Sequence, residues 1–364
     1  MSVLTTNYLT PTGREEAWRF TPLKRLAGLH DGSAAIVDRK SLTLNGITPA
    51  GVKFSRLSRE MVSVESPSQD VVVQRVHAES DDVVLLEIAA NVEISEPIYL
   101  HRKSGGSLSG AELSRVRIVL GAHARATIIM ENSGEAILGE DVEILLSSGS
   151  HLKFVTLQEW SAGSVHAARH HAIIDQDASF QSITITVGGS VVRLLPTVEF
   201  NGPGSSAELL GVYFATAGQY FEHRIHVDHG VPRAKSRVNY KGALAGDQAH
   251  TVWIGDVFIR AAAEGTDTYE VNRNLLLSDG ARADSVPNLE IETGEIVGAG
   301  HASTTGRFDD EQLFYLMSRG IPMNEARRLV VRGFFSEIIS KIHSEEIEER
   351  LMSRIDGELS KAGQ

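Results

Sequence analysis

A short turn recurs along this chain at nearly constant intervals. Gly121-Ala122-His123-Ala124, Gly149-Ser150-His151-Leu152, Asp177-Ala178-Ser179-Phe180 and Gly204-Ser205-Ser206-Ala207 begin 28, 28 and 27 residues apart. Gly280-Ala281-Arg282-Ala283 follows 76 residues later, close to three more intervals. Self-similarity at a fixed period of this size marks stacked units. Between about residues 68 and 305, short apolar runs alternate with Gly, Asp, Asn and Ser turns: Val71–Val73, Val83–Ile88, Val116–Leu120, Ile128–Met130, Val142–Leu146, Ile183–Val187, Leu209–Phe214 and Leu275–Leu277. These runs are rich in Val, Ile, Thr and Phe, which suits strands, and the region has almost no helical periodicity. A βαβ architecture is therefore excluded. The unit length predicts one coil of a mainly β solenoid. An antiparallel sandwich, with turns every ~8–12 residues, is the alternative. About 240 residues at about 28 per coil gives about eight coils, whose strands stack at ~4.8 Å. Such a stack exposes unpaired backbone at both ends, and each end needs a cap or a partner chain.

The flanks read differently. Glu15 to Leu29 carries Trp18, Leu23, Leu26 and Leu29 at partly helical spacing, with Pro22 expected to break it; Trp18 reads as a packing anchor. Asp309-Asp310-Glu311 begins an acidic helical turn, Leu313, Phe314, Leu316 and Met317 give it an apolar face, and Gly320 with Pro322 ends it. Asn324 to Ile342 reads as a longer helix with Ala326, Leu329, Val330, Phe334 and Ile338 on one side. Ser344 caps a last helix through Ile355, with Ile347, Leu351 and Ile355 four apart.

Charge and chemistry narrow the function. The formal net charge is −12 and aromatics are 6%, which argues against nucleic acid as a partner. The longest apolar runs fall far short of the ~20 residues of a membrane span. MSVLTTNYLTPTGREE has no basic segment followed by an apolar one, so the chain is expected to be cytoplasmic. Cysteine is absent, which removes disulfides, thiolate nucleophiles and thiolate metal ligands. No P-loop and no G-x-S-x-G elbow occurs. Gly298-Ala299-Gly300-His301-Ala302-Ser303 imitates a dinucleotide fingerprint but lies in an all-β region.

Histidine is the polar type that stands out. His166, His170 and His171 form one group and His223, His226 and His229 another. Both read as surface and turn histidines, with a bound divalent metal as the alternative. His301 sits between small residues that leave its ring accessible, and neutral imidazole ligates iron, zinc or nickel. Asp247, Asp256, Asp267 and Asp284 leave open a pair of carboxylates suited to glycoside hydrolysis.

From Lys241 onward a series of motifs falls in order. Lys241-Gly242-Ala243-Leu244, Asn274-Leu275-Leu276-Leu277-Ser278, Pro287-Asn288-Leu289-Glu290-Ile291, Gly300-His301-Ala302 and Gly306-Arg307 lead to Asp310-Glu311-Gln312-Leu313-Phe314-Tyr315-Leu316 and Ser318-Arg319-Gly320-Ile321. Together they resemble the SufB/SufD family of iron–sulfur cluster assembly scaffolds. Glu16-Ala17-Trp18-Arg19-Phe20-Thr21-Pro22-Leu23 resembles the start of the SufD branch.

The resemblance implies a right-handed parallel β-helix at 68–307, a helical or irregular segment at 1–67 and a helical domain at 308–364. It also implies a non-catalytic role: pairing with SufB near the C-terminal end of the β-helix, and docking of the ATPase SufC on the 308–364 helices. ATP-driven dimerisation of SufC would pull on those helices. His301 would sit at the SufB interface beside a transient nascent iron–sulfur cluster, with no cofactor held by this chain alone. Many relatives carry a cysteine two residues before this histidine; here the position is Ala299. A homodimer is expected when SufB is absent. The rivals are a secreted-type β-helix enzyme acting on polysaccharide and a SufB-type paralogue; the missing cysteine argues against the latter.

Overall fold

The computed structural model describes residues 8–105, 108–307 and 310–362. Its strands are β1 (Leu42–Asn45), β2 (Val52–Ser58), β3 (Asp82–Ile88), β4 (Ile98–Gly105), β5 (Ala111–Leu120), β6 (Arg125–Glu135), β7 (Ile137–Leu146), β8 (His151–Trp160), β9 (Val165–Ile174), β10 (Ser179–Thr186), β11 (Val191–Phe200), β12 (Ser206–Ala215), β13 (Tyr220–His229), β14 (Lys235–Leu244), β15 (His250–Ile259), β16 (Asp267–Leu276), β17 (Arg282–Ile291) and β18 (Gly298–Arg307). The helices are α1 (Val71–Glu79), α2 (Asp310–Ser318), α3 (Met323–Ile339) and α4 (Glu345–Ala362). Even-numbered strands from β4 to β18 run parallel in one sheet, which β1 joins antiparallel. Odd-numbered strands from β3 to β17 form the second, which β2 joins antiparallel. The chain alternates between the sheets, so the two form a β-solenoid of about 8 turns.

The recurring turn is the corner that leads into the first sheet. Its strands stack in register, Ser179 against both His151 and Ser206, and a coil there is 28 residues. Later coils lengthen to 32. The cause of the repeat is a backbone requirement: the residue two before the strand is left-handed in His123, Gly149, Asp177, Gly204, Arg233 and Gly265. Gly280-Ala281-Arg282-Ala283 is a correction. It leads into β17, in the second sheet. Similar turn residues serve both corners, so the sequence pattern does not distinguish them.

Three apolar clusters hold the layers. One fills the lumen between the sheets, from Leu42 and Leu86 through Phe154 and Trp160 to Tyr240 and Trp253. The second joins the outer face of the first sheet (Val155, Leu157, Ile183, Val212, Phe214) to Val331, Phe335, Ile338, Ile347, Leu351 and Ile355 of α3 and α4. The last three of those contacts match the expected four-residue spacing, whereas Leu329 faces solvent. The third cluster packs Trp18, Leu26, Leu29 and α1 on the outer face of the second sheet; Trp18 is the expected anchor, with the Arg193 guanidinium 4.0 Å above its ring.

Two element readings change. Val71–Val73 is the first turn of α1, because the Asp70 carboxylate accepts from the backbone N–H groups of Val72 and Val73 and caps a helix there. Glu15–Leu29 forms turns and a single 3-10 turn at Leu23–Arg25, with Ala27 and Gly28 at positive φ. Asp309, expected at the start of α2, lies outside the described residues.

The corner ladder is testable at Gly149. Its φ is +69°, and an added Cβ would lie 2.4 Å from His123 Nδ1 on the coil below. Gly149→Ala is expected to lower unfolding free energy by about 1–3 kcal/mol, read as a shifted midpoint with unchanged slope in denaturant unfolding.

Candidate functional site

The two ends of the solenoid differ. At the first, the outermost strands β1 and β2 run antiparallel to their single neighbours β4 and β3. At the other, β17 and β18 pair only with β15 and β16, and each has a free edge. No residue of either strand is fully buried, unlike the interior strands. Ile291, Val297 and Tyr269 are exposed beside that end.

His301 lies on β18, in register with Glu270 of β16. Its side chain is 43% exposed, and Nδ1 is 3.9 Å from Glu270 Oε1. Burial, with the charge of Asp256 adding to it, pushes the Glu270 carboxyl up to about 8. Below the mouth the lumen carries linked polar side chains. The Tyr213 hydroxyl donates to Asn274 Oδ1 at 2.6 Å and accepts from Asn272 Nδ2 at 2.9 Å, and Asn274 Nδ2 donates to Asn272 Oδ1 at 2.7 Å. Deeper in, Arg102 Nη2 donates to Ser114 Oγ and Glu140 Oε1. Burial opposes the Glu140 charge, but Arg102 overrides it and holds the carboxyl at about 2.

The two histidine groups are not surface residues. His166, His170, His171, His223 and His229 are buried, and only His226 is partly so. Most stack on aromatic rings: His170 edge-on to Phe154, His166 edge-on to Trp160, His223 flat on Tyr213 at 5.0 Å and His229 on Phe200. Alternation along β9 and β13 sends neighbours to opposite faces, so neither group converges on one point. They are core histidines, a role periodicity alone does not reveal.

A cluster that sequence spacing did not signal lies on the outer face of the second sheet. His77, Asp141 and Glu143 bring ligand-type atoms within 4.8 Å of one another. The carboxylates are already engaged: Asp141 accepts from Arg169 at 2.7 and 3.0 Å and lies 2.6 Å from His77 Nε2, while Glu143 accepts from Arg115 and Arg117 at 2.9 Å each. Three guanidinium groups make this an ion network that anchors residues 62–66 through their carbonyls, not a cation site. The candidate carboxylates are dispersed among other partners. Asp267 pairs with Arg237, Asp284 with Arg282 and His250, and Asp256 accepts from Asn288.

On α2 and α3, Phe314, Tyr315, Met317, Met323 and Leu329 are exposed. No helix among the described residues is long and apolar enough to cross a membrane.

Residues 101–334 match the family described as SUF system FeS cluster assembly, SufBD core domain. The chain is 46% identical over 355 residues to an iron–sulfur cluster assembly SufBD family protein of Mycobacterium tuberculosis, covering 96% of this chain and 89% of that one. A SufBD family protein of Mycobacterium leprae is 45% identical over 358 residues, covering 96% and 91%. The iron–sulfur cluster assembly protein SufD of Escherichia coli is 25% identical over 376 residues, covering 95% and 88%.

The buried histidines set an acid limit. Burial holds His170, His171 and His229 at about 4 and His223 at about 3, below the ordinary 6.5. As pH falls through 6.5 the unfolded chain takes up protons that the folded chain refuses until near 4. These four groups therefore add no pH dependence above about pH 7 and lower stability between 6.5 and 4, by up to about 1.4 kcal/mol per pH unit each, while the raised Glu270 carboxyl opposes them by one group's share and itself costs stability as pH rises towards 8. Denaturant unfolding across that range should give this slope, and His170→Phe should reduce it by about one group's share.

Proposed function

The chain belongs to the SufBD family of iron–sulfur cluster assembly proteins, and from that premise we propose that it is a SufD-type scaffold subunit that turns over no substrate itself. It pairs with SufB through the open end of the solenoid, binds the ATPase SufC through its C-terminal helices and works in the cytoplasm. The observation that carries this reading is the uncovered last coil. Two free strand edges and exposed apolar residues at one end are a liability in a lone chain and an asset in a complex. The same edges would join two copies when SufB is absent.

His301 at that mouth contributes an imidazole nitrogen to a cluster assembled at the seam. The chain has no cysteine, so the thiolates belong to SufB, and the cluster is cargo. Imidazole in place of thiolate is an established mode of cluster ligation. The polysaccharide reading has no counterpart among these relatives, which are named for cluster assembly. The surface offered to SufC is the exposed apolar set on α2 and the start of α3. SufC binding and ATP-driven dimerisation there would be transmitted to the solenoid, because α3 and α4 share a packed cluster with the first sheet.

Two experiments on the complex separate these roles. His301→Ala is expected to leave assembly with SufB and SufC intact, by size exclusion, and to lower cluster yield by at least tenfold, by iron and sulfide analysis; normal yield would remove His301 from the site. Phe314→Ala combined with Tyr315→Ala is expected to abolish co-purification of SufC while leaving SufB bound. These exposed positions are preferred to removal of the whole C-terminal segment, which would strip α3 and α4 from the first sheet.

A further inference from the structure

Glu270 has no evident structural purpose. Its side chain is 1% exposed, and neither carboxyl oxygen has a hydrogen-bond partner among the described residues. A buried acid in that state costs free energy. Space is nevertheless reserved for it: across the lumen, a Cβ on Gly255 would lie 2.1 Å from Glu270 Oε2. Asp256, the other acid nearby, already accepts from Asn288 Nδ2 at 2.7 Å. The cation-forming group beside Glu270 is His301, whose Nδ1 stands 3.9 Å from Oε1. That gap is about 1 Å longer than a hydrogen bond. His301 stands on the unpacked last strand, where a ring shift of that size meets little resistance.

Resting on the reading of His301 as a ligand, we propose that Glu270 is its positioning residue. The carboxyl accepts a hydrogen bond from Nδ1–H, keeps the ring proton on Nδ1, and leaves the Nε2 lone pair on the exposed side of the ring, facing what docks on the last coil. Either oxygen of a carboxylate, or the carbonyl oxygen of the neutral acid, serves as acceptor. Metal-ligating histidines generally donate from the second nitrogen to such a group, which fixes the tautomer and makes the free nitrogen more basic. With the opposite tautomer, the lone pair would point at Glu270 and an N–H would meet the metal. The register pairing of β16 with β18 builds this arrangement, and sequence spacing alone does not display it.

The tautomer can be read without metal or partner. In the full chain labelled with 15N-histidine, two-bond 1H–15N correlation spectra separate Nδ1–H from Nε2–H rings, and His301→Ala identifies the resonance. The wild type is expected to show Nδ1–H. Glu270→Leu, which fills the space without an acceptor, is expected to revert to the Nε2–H form that free imidazoles favour. Glu270→Gln, whose amide oxygen accepts, should retain Nδ1–H. In the complex with SufB and SufC, Glu270→Leu should lower cluster yield about 10- to 100-fold, and Glu270→Gln should recover most of it. Replacing an unpartnered buried acid by Leu is expected to keep or raise the thermal midpoint, so that lost yield is not unfolding. An Nε2–H wild type, or a Leu variant that keeps Nδ1–H, would overturn the proposal; the wild-type spectrum decides even if neither variant folds. Normal cluster yield from His301→Ala would instead reject the ligand role and leave the spectra to judge Glu270.

Discussion

Backbone hydrogen bonding between successive coils governs the rest of this molecule. Each interior strand donates and accepts along both edges, so residues one coil apart are fixed in register: Ser179 under Ser206, Ser206 under Lys235, Lys235 under Asp267. A side chain in such a stack has only two directions, into the lumen or onto the outer face. The corners must therefore close at nearly equal lengths, and the left-handed residue two before each first-sheet strand from β6 to β16 is the local solution. The stack has no internal reason to stop. Its ends are where this fold has unsatisfied backbone, and the two ends differ in strand direction: one finishes in the antiparallel β1 and β2, the other in the parallel β17 and β18.

The lumen shows what register does to polar residues. Glu140 and Arg102 are both fully enclosed, and either alone would be an uncompensated buried charge. The histidines stay neutral because burial outweighs nearby carboxylates. Most of these groups find neighbours because the stack delivers them to adjacent levels. The outer faces are simpler. Helices α3 and α4 cover the first sheet, and α1 with the N-terminal strap covers the second. Lys241 Nζ reinforces the helical side by donating to the Phe334 carbonyl and Glu337 Oε2. A force on α3 is therefore a force on the sheet that ends in β18.

The sequence was most legible where chemistry is local. Valine-, isoleucine- and threonine-rich runs bounded by glycine and aspartate marked the strands, the four-residue spacing of Ile347, Leu351 and Ile355 marked the buried face of α4, and the motifs from Lys241 to Ile321 carried a family resemblance that the relatives bear out. It was least legible where neighbours come from other coils. Val71–Val73 has strand composition, but Asp70 outweighs it with two backbone hydrogen bonds. A histidine on a strand carries no local mark of whether it meets water or the face of Tyr213. Glu270 offered no signal, because its partner is 31 positions away and only the β16–β18 register brings them together.

That asymmetry bears on the mouth of the solenoid. Elsewhere, buried carboxylates have strong donors: in the lumen Glu140 has Arg102, Glu112 accepts from Ser41, and on the outer face of the second sheet Glu222 has Arg193 beside it. Glu270 has a nearby imidazole and a void kept free by Gly255. Valine at the same lumen position one coil earlier, Val238, shows that an apolar side chain fits this column. On stability alone, then, a hydrophobic residue at 270 would serve better. Sites that break the local packing rule at such a cost are where function is to be sought. Here the break falls one level beneath the accessible histidine, at the end of the stack that finishes in the parallel strands β17 and β18.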